Sequence, residues 1–214
     1  MKPEWTNWRN ANYVFFEQKL ENLSTTLKLF DLGSGAEQFE KIFHRFNYTA
    51  VDFEKFNDHV VVADLTQIFP MEDSVADIVT LSNTLEHIPN PEHFIAECSR
   101  ILKKGGVIIG TVPFLLGVHQ APYDFNRYTH FQLERFLGMS GFESIEVVPL
   151  GKQMDVYNTV ELKVFDELRK QQGGFLLEVI RLIRRVEMRL MRKILIADAG
   201  EKITEGYGFF GIKK

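Results

Sequence analysis

The sequence predicts a doubly wound α/β sheet. Three observations carry that prediction. Short, almost continuously apolar runs alternate with helical stretches, as strands covered on both faces require. A glycine turn follows the first run directly in LFDLGSGAEQF (29–39). An acidic residue, Asp52, closes the second run, 21 positions after Asp31. In open sheets of this kind a glycine turn and a following acid border the ligand crevice at the carboxyl ends of the strands.

The β-rich runs are LKLFDL (27–32), YTAVD (48–52), HVVVA (59–63), ADIVTLS (76–82) and GVIIGTV (106–112), with FESIEVV (142–148) as a sixth and GYGFFGIKK (206–214) as a seventh. A helix is expected over 36–46, after the glycine turn. Another spans 91–103, with Asn90 as N-cap, Pro91 at the first helical position and Gly105-Gly106 as its stop. The segment THFQLERFLGMSG (129–141) spaces Thr129 and Gln132 as a capping box and ends in glycine. Trp5, Trp8, Tyr13, Phe15 and Phe16 mark an aromatic N-terminal helix, either a lid over the ligand cleft or a plain hydrophobic anchor.

Residues 151–203 break the alternation. Two helices are expected there, at 155–170 and 175–196. The second sets Glu178, Arg181, Arg185, Arg189 and Arg192 along one face and leaves a wide apolar face interrupted by Glu187. Two readings stand: a helix buried against the sheet or a second subunit, and a basic amphipathic helix at a membrane surface. The division expected is a core over 1–150, a helical insertion over 151–203 and a closing strand over 204–214.

Bulk composition narrows the function. Hydrophobic residues make up 45% of the 214 and charged residues 25%, the balance of an ordinary globular chain. The net charge of −4 gives no general attraction to nucleic acid, and the basic residues at 181–193 lack interleaved stacking aromatics. No nucleic-acid partner is expected. The single cysteine, Cys98, excludes an internal disulfide and reads as a small core residue. The start MKPEWTNWRN has no apolar h-region, so a signal peptide is not expected. A cytoplasmic protein follows, with peripheral membrane association through 175–196 as the variant.

Glu37 decides between ligands. It stands where dinucleotide-binding turns carry a third glycine, and a carboxylate there would repel a pyrophosphate at the start of the next helix. S-adenosylmethionine has an adenosine but no phosphate, and its sulfonium is cationic. The turn suits that cation better than NAD.

With this ligand in view, the chain resembles the class I S-adenosylmethionine-dependent methyltransferases, in particular the small bacterial type-11 branch. Four stretches carry the resemblance: LFDLGSGAEQF; VDFEKFNDHVVVADLTQIFPMEDSVADIVTLSNTLEHIPNPEHFIAECSRILKKGG; TVPFLLGVHQAPYDFNRYT; and GFESIEVV. It implies a Rossmann-like, mostly parallel seven-stranded sheet with an antiparallel last strand. It further implies that Asp31, Gly33 and Gly35 shape the turn around the methionine part of the cofactor. Asp52 would bind the ribose hydroxyls, with Phe53 against the adenine. Asp64 would accept from the adenine amino group, with Leu65 on the ring, and Asn83 would contact the methionine part.

The loop PFLLGVHQAPYDFNRYT collects the candidate catalytic residues His119, Asp124, Arg127 and Tyr128. His119 is the general-base candidate because imidazole titrates near neutrality. Asp124 would orient it or hold a substrate hydroxyl, and Arg127 would clamp a carboxylate or phosphate; the alternative is an Asp124–Arg127 pair that only fixes the loop. Glu86 and His87 lie in the turn after Asn83, with no role assigned. No metal site is expected, because His44 and His59 have no ligand partner nearby in sequence. The function expected is methyl transfer to oxygen or nitrogen of a small molecule or of a glycan or lipid-linked intermediate. A non-catalytic scaffold and an NAD-dependent oxidoreductase are the alternatives.

Overall fold

The computed structural model describes residues 5–172, 179–180, 182–184, 186–187 and 203–214. Seven strands form one sheet: β1 (Lys28–Leu32), β2 (Asn47–Asp52), β3 (Val61–Val62), β4 (Ala76–Ser82), β5 (Leu102–Pro113), β6 (Phe142–Leu150) and β7 (Gly206–Lys213). Their spatial order is β3-β2-β1-β4-β5-β7-β6. The pairings among β1 to β5 are parallel; β7 enters between β5 and β6 and runs antiparallel to both. The order reverses between β1 and β4, which puts the ligand crevice at their carboxyl ends.

Alternation along each strand divides the core between the two faces. Leu29, Ile78 and Ile109 pack with Phe15, Phe16, Phe39 and Phe43 on one face, whereas Leu32, Val79 and Ile108 join Phe94, Cys98 and Leu137 on the other. The first face is covered by α1 (Asn7–Leu20), whose N-cap Thr6 accepts from the Arg9 backbone N–H. The second is covered by α3 (Pro91–Ile101), capped by Asn90 with Pro91 in its first turn, and by α4 (His130–Met139), whose cap Thr129 accepts from the Gln132 N–H.

Two elements differ from expectation. The run at 59–63 contributes only Val61 and Val62 to the sheet, and both are exposed. It is an edge strand with no neighbour beyond it, so only Asp52 and Val51 give it ladder partners. The helix expected over 36–46 is confined to α2 (Glu40–Phe43), because Glu37 adopts φ +51° and turns occupy the preceding residues. The first insertion helix, α5, runs Gln153–Gln172. The second, expected at 175–196 with its arginine face, lies mostly outside the described residues. No helix among the described residues is long and apolar enough to cross a membrane.

Candidate active site

The glycine turn is built by close approach. Gly33 has φ +78°, and a Cβ there would lie 2.5 Å from the Thr84 methyl carbon, so side chains are excluded twice over. Thr84 in turn donates to the Leu32 carbonyl at 2.9 Å, locking the turn after β4 onto the end of β1. Gly33 and Ser34 donate their N–H groups to the Val51 carbonyl. Gly35 differs: a Cβ on it would meet nothing within 4 Å. Its N–H donates to Asp52 Oδ2 at 2.8 Å, while Oδ1 of Asp52 accepts from the Glu54 N–H at 3.2 Å.

These features fit an adenosyl cofactor. Gly35 faces open space, the buried Ser34 hydroxyl has no hydrogen-bond partner, and Phe53 beside Asp52 is 74% exposed, as a ring awaiting a stacked base would be. Asn83 stands at the end of β4 with φ +55°, and its side-chain oxygen accepts from Trp8 Nε1 at 3.2 Å. The N-terminal helix therefore reaches the crevice through Trp8 as well as anchoring on the sheet.

Asp31 lies beneath the turn. It is buried, and it accepts from the Thr80 hydroxyl at 2.9 Å and the Tyr48 hydroxyl at 3.2 Å. Burial pushes its carboxyl up to about 7, against the two hydrogen bonds that favour the charged form. It supports the turn from below. Asp64 is exposed and folds onto its own neighbour, accepting from the Thr66 N–H and hydroxyl at 2.9 and 2.7 Å; Leu65 is buried in the core. Both Thr66 bonds fall on Oδ1 of Asp64, which leaves Oδ2 to accept from an adenine amino group, whereas a ring contact by Leu65 would require that packing to shift.

Glu37 corrects the picture of a bare carboxylate at the turn. Only 6% of the residue is exposed, and three partners surround its oxygens at 2.7 Å: Asn57 Nδ2 and His59 Nε2 at Oε1, and His44 Nε2 at Oε2. Burial raises its pKa, but His59, Asn57 and His44 together hold it below the ordinary value. The compensating partners come from 7 to 22 positions away, which is why no nearby cation is visible in sequence.

The acceptor loop brings a second cluster together. His119 Nε2 lies 3.6 Å from Oε1 of Glu86, and His87 Nε2 lies 3.8 Å from the same oxygen. Glu86 is fully buried, and neither of its carboxylate oxygens has a hydrogen-bond partner. Its backbone is held firmly: the Phe125 and Asn126 N–H groups donate to its carbonyl, and the Tyr128 hydroxyl donates to the adjacent Leu85 carbonyl at 3.0 Å. Nearby Glu86 holds His119 above its ordinary pKa; partial burial opposes this and Asp124 adds to it.

Arg127 and Tyr128 are both engaged by bonds within the protein. Arg127 grips Asp124 through two bonds of 2.6 and 2.7 Å and also donates to the Leu116 and Asn126 carbonyls, so its guanidinium is engaged within the loop. That guanidinium holds Asp124 well below the usual carboxylate range, against the effect of burial. Asp124 passes the order on, accepting from the His119 N–H at 2.9 Å with its Oδ2 3.3 Å from His119 Nδ1. Tyr128 is buried against Phe136. The residues the sequence left without a role are Glu86 and His87, and their one local signal was a Glu-His pair directly after the β4 turn.

Comparison with known proteins agrees with this geometry. Residues 30–110 match the family model described as "Methyltransferase domain". The ubiquinone biosynthesis O-methyltransferase of Burkholderia pseudomallei is 24% identical over 175 residues, covering 72% of each chain. A SAM-dependent methyltransferase from Archaeoglobus fulgidus shares the fold, with a TM-score of 0.63 at 16% identity over 96% of this chain and 94% of that one. Phosphoethanolamine N-methyltransferase 2 of Haemonchus contortus, in complex with S-adenosyl-L-methionine, has a TM-score of 0.59 at 16% identity, over 96% of this chain and 52% of that one. The fold is that of the class I methyltransferases. Over residues 30–110 the chain is similar to the type-11 S-adenosylmethionine-dependent methyltransferases.

Proposed function

We infer that the enzyme methylates a hydroxyl oxygen of a small molecule that carries an apolar part. The observation behind this reading is the Glu86–His87–His119 cluster, which begins three residues along the chain from Asn83, on the turn after β4 and the loop after β5. A hydroxyl must lose its proton as it attacks, whereas a neutral amine attacks with its free lone pair; a buried proton-accepting cluster is needed chiefly for the first.

S-adenosylmethionine supplies an electrophilic methyl group when bound, and Gly33, Gly35, Asp52, Phe53 and Asn83 would hold it on this chain. His119 Nε2 takes the proton from the acceptor hydroxyl, and Glu86 stabilises the imidazolium that results. Asp124, clamped by Arg127, keeps the imidazole turned toward Glu86. Trp8 closes the crevice over Asn83 and limits water beside the reacting groups. Val118, Tyr123 and Phe125 are exposed at 76%, 63% and 49% on the same loop, a rim suited to an apolar or aromatic portion of the acceptor. The relative named for O-methyl transfer in ubiquinone biosynthesis supports oxygen over nitrogen. The surrounded state of Glu37 removes the one sign that had favoured a scaffold without turnover.

The test is titration calorimetry with S-adenosylhomocysteine, NAD and NADH, followed by a methyl-transfer screen over phenols, alcohols and amines. Saturable adenosylhomocysteine binding, weakened at least tenfold in Asp52→Ala, and transfer to hydroxyl acceptors are expected. Transfer to amines alone would overturn the oxygen reading.

A further inference from the structure

We propose that Glu86, His87 and His119 form a binding site for a divalent transition-metal ion, which no metal motif in the sequence announced. The proposal rests on the same cluster as the functional reading above and changes its base: with an ion bound, His119 Nε2 would ligate it and the proton would leave to solvent.

Four features point to a metal. Glu86 is 0% exposed with both oxygens lacking hydrogen-bond partners, and a buried carboxylate that stays charged is paired or coordinates a metal. The buried Nε2 of His87 also lacks a hydrogen-bond partner. The histidine nitrogens stand 3.6 and 3.8 Å from Glu86 Oε1. A charge-assisted hydrogen bond would close to about 2.8 Å, whereas two ligands each about 2.1 Å from one ion in tetrahedral array stand about 3.4 Å apart. One atom from each of the three residues lies within 4.8 Å of the others.

The fourth feature is behind the rings. His87 Nδ1 lies 2.7 Å from the Tyr123 carbonyl oxygen, which can only accept, so Nδ1 carries the proton and Nε2 of the neutral ring keeps its lone pair. His119 Nδ1 faces Asp124 Oδ2 at 3.3 Å. Metal-ligating histidines are oriented in this way, with the far nitrogen donating to a carbonyl or carboxylate. The Glu37–His44–His59 group is the contrasting case. There each carboxylate oxygen already stands at hydrogen-bond distance from its partner, and both histidines are exposed.

Two imidazoles and one carboxylate select borderline ions such as Zn²⁺, Co²⁺, Mn²⁺ or Fe²⁺ and leave coordination positions open. An acceptor hydroxyl on the ion would lose its proton to solvent more readily than a free one, with the histidine lone pairs occupied by the metal.

The experiment uses the full-length, tag-free protein after chelator treatment. Co²⁺ is titrated and followed by its visible d–d absorption, with Zn²⁺ and Mn²⁺ titrated by calorimetry. Expected are one equivalent of Co²⁺ per chain and affinity reduced at least tenfold in both Glu86→Gln and His119→Ala, with His44→Ala unchanged. Because Glu86 is buried, His119→Ala on the loop carries the test if Glu86→Gln fails to fold, as judged by adenosylhomocysteine binding. No Co²⁺ binding, or binding that survives these changes, overturns the metal site. Retained adenosylhomocysteine binding in that case leaves the methyltransferase reading standing, whereas its loss in the wild-type protein would sink that reading separately.

Discussion

The Thr80 hydroxyl donates to Asp31 Oδ1 at 2.9 Å, and the two residues are direct register partners across the parallel β1–β4 pair. The ligand crevice thus opens above a carboxyl that is buried in the sheet rather than offered to the ligand. Its pKa, raised from 3.8 to about 7, links folding to pH. Between those values the folded chain holds a proton that the unfolded chain has released, so stability falls as pH rises through that window. In Asp31→Asn this slope should vanish, since an amide can bond Tyr48 and Thr80 without titrating. Urea midpoints measured at pH 5 and pH 7.5 for both proteins check it; equal slopes would contradict the assignment.

Gly33→Ala should be among the most damaging single changes. The new methyl meets Thr84 at 2.5 Å while the backbone stays at φ +78°. Left-handed strain of about 1–2 kcal/mol adds to overpacking of about 1–3 kcal/mol. Thermal melting should show a large drop, accompanied by loss of adenosylhomocysteine binding. Gly35→Ala, where the methyl meets no atom, should melt closer to wild type and lose binding alone.

Glu37→Gly sets two effects against each other. Glycine relieves the φ +51° strain, worth about 1 kcal/mol. It also removes the carboxylate that Asn57, His44 and His59 surround, with contacts to a charged group worth roughly 1.5–3 kcal/mol each before discounting the two exposed histidines. Net destabilisation is expected by denaturant titration at pH 7. The folded-state pKa of Glu37 is lowered, so its contribution is present above 4.5 and lost as pH falls through the folded value. The difference between Glu37→Gln and wild type should therefore shrink in acid.

Arg127→Ala leaves Asp124 inside the loop without its clamp. The Asp124 side chain is 2% exposed and that of Arg127 24%, so the loss should be roughly 2–3 kcal/mol, below the roughly 3–5 kcal/mol of a fully buried pair. Arg127→Lys should restore little, because an ammonium cannot reproduce two parallel bonds. Both variants should lower methyl transfer more than they weaken adenosylhomocysteine binding, since the disturbed element is the acceptor loop. Equal losses in the two measurements would place Arg127 in cofactor binding instead.

Periodicity and end signals made much of the fold legible: the apolar runs, the glycine turn, Asn90 with Pro91, and Thr129 before α4 are all local. The extent of β3 was not local, because an edge strand exists only where β2 offers partners. The burial of Tyr128 was hidden as well, since a tyrosine in a polar loop carries no mark of the Leu85 carbonyl it will meet.

The sequence by itself determined the α/β class, the order of elements and the glycine–acid pair at the crevice, since these follow from patterns within a few residues or one strand-to-strand step. Only the tertiary structure decided what the charged groups do. It wrapped Glu37 in two histidines and an asparagine, turned Asp31 into a buried support, and carried His119 across 33 positions to Glu86. The energy of a charge depends on its depth and on the donors around it, and both are set by contacts distant along the chain.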